Sequence, residues 1–278
     1  MKKKIVAMLL TIVIVVSLLP GTANASTKVT SGTCGDNVTW DSRTKKIASG
    51  GDNVTWSFDE STQTMTISGT GSITTNYDYP GSVSDGNCGL PWQDVRHELK
   101  TLVIKEGVTG IGRCAFDSYP ALTSVTIPNT VTSIGENAFR ATPLTNITIP
   151  GSVATIGKGA FQACRSLRSA TILDSNNALH IKSFAFSDCW SLNSITLPAR
   201  TASIEWGAFY DWDMGYTLAD VYFSGSEQQW NKIDLEKDDN FILLNANIHF
   251  ANTSSATPTP PTIPVQPVTP VSYTHLRA

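Results

Sequence analysis

The amino-acid sequence predicts a mostly β chain wound as a right-handed solenoid of about five to six repeats, 22–26 residues each, with a β-rich N-terminal cap and a C-terminal cap. Three observations predict it. Phenylalanines recur at Phe116, Phe139, Phe161, Phe186 and Phe209, separated by 23, 22, 25 and 23 residues. The dipeptides Ile111-Gly112, Ile134-Gly135, Ile156-Gly157, Ile181-Lys182 and Ile204-Glu205 keep step before them, and Leu122, Leu144, Leu167, Leu192 and Leu218 keep step after them. Each unit also holds a short strand in which Val or Ile alternates with Thr. A fixed period of roughly 20–50 residues marks a solenoid, whose units bury their apolar faces only by stacking on one another.

The chain begins with Lys2, Lys3 and Lys4, an apolar run from Ile5 to Leu19, Pro20 and then Ala23-Asn24-Ala25. A charged start, a short apolar stretch and a small-x-small site describe a secretory signal peptide over residues 1–25, with the mature chain starting near Ser26. The apolar run is shorter than a bilayer span needs, so no membrane span is expected after cleavage. Residues 26–98 form the β-rich cap. The hexapeptide GDNVTW occurs at Gly35–Trp40 and again at Gly51–Trp56. Only the second copy leads into an alternating strand and hairpin through Trp56, Phe58, Met65 and Ile67, so that copy is expected in the sheet.

Within a unit, Leu122-Thr-Ser-Val125-Thr-Ile127-Pro128 has the period-two pattern of a strand with one buried face. Pro128 ends it for want of an N–H. Val131 and Ile134 make a second short apolar run, Gly135 permits a corner, and Ala138-Phe139 turns the ring into the coil interior. This pattern resembles the BspA-like leucine-rich repeats of exported bacterial surface proteins, with consensus LxxVxIPxxVxxIGxxAFxxC, and assigns residues 99–250 to a leucine-rich-type solenoid with its closing cap. The segments before Leu99 and after Leu218 are similar to the caps of that family. The resemblance implies a non-catalytic scaffold outside the cell that adheres to host proteins or other cell-surface macromolecules. Departures are Thr142 in place of the usual Cys or Asn, an insertion at Leu173 to Leu179 that loses the Pro, and Thr201 in the second apolar run; they are expected to loosen units four and five without breaking the register.

Residues 251–271 hold six prolines among Thr, Ser and Val, the composition of an extended linker. Residues 272–278 fit neither linker nor domain and are expected to be a non-native or truncated end. This opens an alternative function, an accessory module of a larger secreted enzyme or cell-wall-binding protein.

Composition narrows the chemistry. Formal net charge is −3, and removal of the three signal lysines takes it to −6, which disfavours nucleic acid as a partner. The five cysteines at 34, 88, 114, 164 and 189 are too few and too odd to staple the fold. Cys164 and Cys189, each three residues after a repeat Phe, are expected as buried small hydrophobes, and a Cys34–Cys88 bridge stays open. His97, His180, His249 and His275 accompany no catalytic motif, and no metal or cofactor is implied. Asp211-Trp-Asp213-Met-Gly215 lacks the third acidic position and distal Glu of a calcium loop and is expected to be a surface loop.

Two surface features remain as candidate sites for an extracellular protein or glycan. Outward strand residues form two columns, Ser124, Asn146, Ser169, Ser194 and Asp220 beside Thr126, Thr148, Thr171, Thr196 and Tyr222. Aromatics crowd the C-terminal end, with Trp206 and Trp212 the candidates for exposed contact. The sequence fixes no oligomeric state.

Overall fold

The computed structural model describes residues 30–35, 39–41, 46–49, 53–74, 90–212, 218–237 and 239–251. The signal peptide, the 272–278 end, Cys88, Asp213 to Gly215 and all but the first residue of the linker lie outside the described residues. The N-terminal part contributes β1 (Ser31–Thr33), β2 (Thr39–Asp41), β3 (Lys46–Ser49), β4 (Val54–Asp59), β5 (Thr64–Gly69) and β6 (Gly71–Ile73). Two short strands per coil follow: β7 (Thr101–Ile104) and β8 (Val108–Ile111), β9 (Ser124–Thr126) and β10 (Ser133–Ile134), β11 (Asn146–Ile149) and β12 (Thr155–Ile156). Next come β13 (Ser169–Ile172) and β14 (Leu179–Ile181), then β15 (Ser194–Leu197) and β16 (Thr201–Ile204). The chain then runs through β17 (Asp220–Phe223), helix α1 (Glu227–Trp230), β18 (Asp234–Leu235), helix α2 (Phe241–Leu244) and β19 (Asn247–Phe250). The architecture is therefore mostly β and coiled, with little helix.

Stacking the coils builds three walls. One is an unbroken seven-stranded parallel sheet, in spatial order β6-β8-β10-β12-β14-β16-β18. The second, here the strand face, comprises two five-stranded sheets, β1-β4-β5-β7-β9 and β11-β13-β15-β17-β19. Its first strands pair antiparallel, β1 with β4 and β4 with β5, and parallel pairing takes over from β5 to β7. The second GDNVTW copy supplies β4, whereas β2 and β3 form a separate two-stranded sheet.

The third wall is made of turns rather than strands. The N–H groups of Phe116, Phe139, Phe161 and Phe186 donate to the carbonyls of Ala138, Ala160, Ala185 and Ala208 in the next coil, each at 2.8 Å. Two residues before each Phe the backbone is left-handed, at Cys114, Asn137, Gly159, Phe184 and Gly207, and it is left-handed again at Ser118, Ala141, Ala163 and Asp188. These reversals aim successive N–H groups at the neighbouring coil. Glycine meets that demand without strain at 159 and 207, whereas Phe184 adopts φ 59°, an uncommon conformation for a bulky side chain.

The phenylalanines stack along the interior with ring centroids 5.6, 5.5, 5.3 and 5.5 Å apart and interplanar angles of 8–12°, all fully buried. Trp92 adds a sixth ring at 5.6 Å from Phe116. The ends of the turn ladder are closed by side chains that imitate a missing coil. At one end Trp92 Nε1 donates to the Ala115 carbonyl at 3.1 Å, where a preceding coil would present a backbone N–H. At the other, Asn240 Oδ1 accepts from Phe209 N at 3.0 Å, where a following coil would present a carbonyl. The Asn240 amide is held there by donating to Glu205 O and Glu236 O at 2.9 and 2.6 Å. Buried main-chain groups rarely go unpaired, so these two residues are what let the ladder stop.

The corner glycine has a packing reason: a Cβ at Gly135 would come within 2.7 Å of Arg113 N and Gly112 C in the coil before. The departures loosen the fourth unit without breaking its pairing: β14–β16 carries a bulge at Leu179/His180, and Ile181 and Ile204 are in register again. The cause is spacing, since Leu179 and Ile181 are two residues apart whereas Thr201 and Ile204 are three apart. Cys164 and Cys189 are fully buried but are more than small hydrophobes: their thiols donate to Phe139 O and Phe161 O at 3.1 and 3.2 Å. The Thr142 hydroxyl donates to the same Phe139 carbonyl at 2.8 Å, which explains why Thr fits that position. Burial pushes the Cys164 thiol up to about 11 and Cys189 well above its usual value.

Candidate functional site

The strand face presents side chains from alternate positions of successive strands, because the inward partners Ile147, Ala170, Ile195 and Val221 fill the core. Pairing sets Asn146, Ser169, Ser194 and Asp220 in one column and Thr148, Thr171, Thr196 and Tyr222 in the other. Strand spacing puts consecutive members about 4.8 Å apart. Both columns continue into β19 with Asn247 and His249. Ser169 Oγ donates to Asn146 Oδ1 at 2.7 Å, and His249 Nε2 lies 2.7 Å from Asp220 Oδ1 with its ring stacked on Tyr222 at 4.8 Å. The sequence-expected columns are thus real from Asn146 onward.

Ser124 and Thr126 stand apart from them. They pair with Thr101 and Val103 of β7, and no ladder joins β9 to β11. The physical reason lies in the turn before β11. From repeat Phe to repeat Leu the chain takes six residues in Phe116–Leu122, Phe161–Leu167 and Phe186–Leu192 but five in Phe139–Leu144, with Pro143 in the shortened stretch. A cleft of about 460 Å³ opens at the break, lined by Val125, Thr126, Asn129, Asn146, Thr148 and Leu173. Val125 is only half-buried although its register partner Leu102 is fully buried, and Leu173 is 45% exposed. A second hollow of about 400 Å³ lies beside the short turn itself, against Pro120, Thr142, Pro143 and Arg165.

Trp206 and Trp212 do not join the columns. Trp206 packs edge-on against Phe184 at 4.7 Å and lies 6.5 Å from the Tyr210 ring, which Trp212 meets edge-on at 5.1 Å. Trp206 is 39% and Trp212 66% exposed, so this is a second surface on the corner after β16. Trp190 forms a further exposed platform with Arg165 stacked 3.9 Å above it. In the stretch expected as a surface loop, Asp211 is fully buried, Trp212 is exposed, and Asp213 to Gly215 lie outside the described residues. Asp211 occupies the position after Phe209 that Asp188 occupies after Phe186, inside the turn wall rather than outside it.

Two polar clusters hold the coils in place. Arg140 donates from Nε and Nη2 to the two oxygens of the buried Asp117 at 3.0 and 2.9 Å, bridging successive coils. Glu205 pairs with Lys182 at 2.6 Å and accepts from Ser183. Burial pushes its carboxyl up, but the hydrogen bonds and charge of Lys182 and Ser183 outweigh that and hold it below the usual carboxylate value. No cluster of three or more His, Cys, Asp or Glu side chains suited to a metal occurs among the described residues. No described helix is long and apolar enough to cross a membrane.

Coils with two short strands, a turn wall and a single apolar column define a leucine-rich repeat solenoid. Residues 95–214 match the model of the BspA type leucine rich repeat region in six copies. No curated protein matches the chain. Among solved structures, a leucine rich cell surface protein from Faecalibacterium prausnitzii is 23% identical over 50% of this chain and 63% of its own, with a TM-score of 0.32. The pneumococcal vaccine antigen PcpA is 15% identical over 75% of this chain and 52% of its own, at 0.39. A leucine rich repeat protein from T. pallidum is 18% identical over 70% and 92%, at 0.38. The chain spans less than two thirds of the length of the first two.

Proposed function

We propose that this protein is a non-catalytic scaffold, secreted or held at the cell surface, that adheres to host or other cell-surface macromolecules through its strand face. The observation that carries this reading is the pair of columns from Asn146 and Thr148 to Ser194 and Thr196, a rigid surface of uncharged hydroxyl and amide groups. Such a surface offers hydrogen bonds at fixed spacing without asking a partner for opposite charge. The inferred signal peptide over residues 1–25 and the BspA-type repeats agree with an extracellular place of action. The exposed Trp206 and Trp212 supply a second contact surface of the aromatic kind that dominates interface energetics.

The test is a binding screen of the mature chain against immobilised extracellular-matrix proteins and glycans. A double variant, Thr148→Lys with Thr171→Lys, is expected to keep the fold and weaken the captured partner, because both side chains already point to solvent. Capture that is undiminished in this variant but lost in Trp206→Ala with Trp212→Ala moves the site to the aromatic corner. Turnover of any screened substrate would contradict a non-catalytic role.

A further inference from the structure

We infer that the aromatic corner formed by Phe184, Trp206, Tyr210 and Trp212 is a docking site for this chain's own proline-rich segment, residues 261–270, which folds back onto it as a polyproline II helix. The inference stands apart from adhesion by the strand face. It names what the second, aromatic surface holds when no outside partner is present.

The rings of the corner do not make a flat platform. Phe184 meets Trp206 at 85° and Tyr210 meets Trp212 at 89°, whereas Trp206 and Tyr210 stand 19° from parallel with centroids 6.5 Å apart. Rings that alternate in this way leave furrows between upright faces, the aromatic lining that takes successive residues of a proline-rich helix. One ring is placed against its backbone preference. Phe184 holds the left-handed conformation that Gly159 and Gly207 hold in the adjacent coils, and its ring fills the space over Gly207, where a Cβ would come within 3.1 Å of Phe184 Cε1. Strain of this kind gathers at surfaces that bind.

The proline-rich segment fits the corner in period, charge and reach. Pro261, Pro264, Pro267 and Pro270 recur at every third position. Three residues is the turn of a polyproline II helix, so all four rings project from one side, about 9 Å apart. Residues 252–271 contain no Asp, Glu, Lys or Arg. Of the charged residues next to the rings in sequence, Lys182 and Glu205 already pair at 2.6 Å and Asp211 is buried, so docking strips water from no unpaired charge. Ala251 follows β19, the outermost strand of the strand face, where Phe250 stands in register with Phe223 and, one coil further in, Leu197. Within the fifth coil nine residues carry the chain from Leu197 to Trp206, and residues 252–260 supply nine as well. At roughly 3.1 Å each they span about 28 Å, enough to follow the same path around the corner. A tethered segment meets its site at an effective concentration on the order of millimolar, so a contact with a dissociation constant of about 1 mM is already half occupied.

The experiment records the indole N–H signals of the full mature chain by NMR, assigned with Trp206→Ala and Trp212→Ala. It compares the parent with a variant carrying Pro261→Ala, Pro264→Ala, Pro267→Ala and Pro270→Ala, changes that leave every residue of the solenoid in place. The expected result is a shift of the Trp206 and Trp212 signals between the two chains with Trp230 of the cap unmoved, and contacts from proline ring protons to the Trp206 indole in the parent alone. A second variant, Pro264→Val with Val265→Pro and Thr269→Pro with Pro270→Thr, keeps the composition, breaks the three-residue period and should lose the same contacts. Tenfold dilution should leave the parent signals unchanged. Identical Trp206 and Trp212 signals in the parent and the first variant, or contacts retained when the period is broken, would each overturn the inference. Signals that change on dilution would overturn it too, by placing the segment on a second copy, and so would a glycan that shifts these indoles equally in parent and variant. No outside partner enters the core comparison, so its outcome is separate from that of adhesion by the strand face.

Discussion

The two sheet walls are built from the same coils, yet one runs unbroken through seven strands and the other divides after β9. Both walls also meet an irregular unit, and the outcomes differ. The fourth unit carries extra residues between β13 and β14, and β14 still pairs in parallel with β12 and β16 in the unbroken wall. The extra loop is pulled back onto the body: Ser175 Oγ donates to Gly151 O at 2.6 Å, and Arg200 donates to Asn177 O and Leu173 O at 3.0 and 3.3 Å. The third unit is one residue short before β11, and there the ladder is lost altogether. A surplus can loop outward at small entropic cost, whereas a shortage has no slack to give and must displace the strand it leads into.

The contrast can be broken most forcefully by attacking what both walls share. Phe161→Ala should destabilise the chain by about 3–5 kcal/mol, since it opens a cavity in the ring column beneath every wall. A thermal melt within a degree of the parent would remove the common core from the explanation. Arg140→Ala should cost about 3 kcal/mol by stranding the buried Asp117 charge between the first and second units, measured by urea unfolding. Asn240→Ala should cost about 1–3 kcal/mol, the range for a buried donor left unpaired, with faster exchange concentrated in the last coil. Insertion of one Ala between Pro143 and Leu144 restores the six-residue step and should stabilise the chain by about 1 kcal/mol as β9 and β11 pair; an unchanged or lowered unfolding midpoint would separate turn length from the break.

Smaller effects concern titration. Cys164 and Cys189 should resist iodoacetamide in the native chain at neutral pH, because their raised values keep them as thiols, and should react after unfolding. Glu205 has a folded value below its unfolded one, so its contribution to stability is complete above the ordinary carboxylate range and fades as pH falls through the lower folded value. Glu205→Gln should therefore flatten the acid limb of the stability profile, lowering stability slightly in the neutral region and leaving the acid end nearly unchanged.

Much of this was legible in the residues. The Phe period fixes the column, and Thr alternating with Val or Ile fixes which strand side faces out, because both are repeated physical demands rather than single events. Trp92 was legible too, standing 24 residues before Phe116, but a change of residue type hid it from a pattern keyed to Phe. Asn240 was not legible: its amide replaces a backbone carbonyl, and nothing in FILLNANIHF or its neighbours repeats. The short Phe139–Leu144 step was visible as a count, but its consequence depends on how much slack the neighbouring coils leave. Burial of Asp211 was hidden because a polar run reads as surface, whereas the turn wall buries polar side chains such as Asp188, whose Oδ1 accepts from Trp212 N at 3.2 Å.

The central claim is that one missing residue before β11 divides a wall whose opposite side stays whole. Residue-resolved amide hydrogen exchange on the native chain tests it most directly. The account predicts rapid exchange for amides of β9 and β11 that face each other, beside strong protection throughout β8, β10 and β12 of the same coils. Equal protection on both walls across these coils would contradict it.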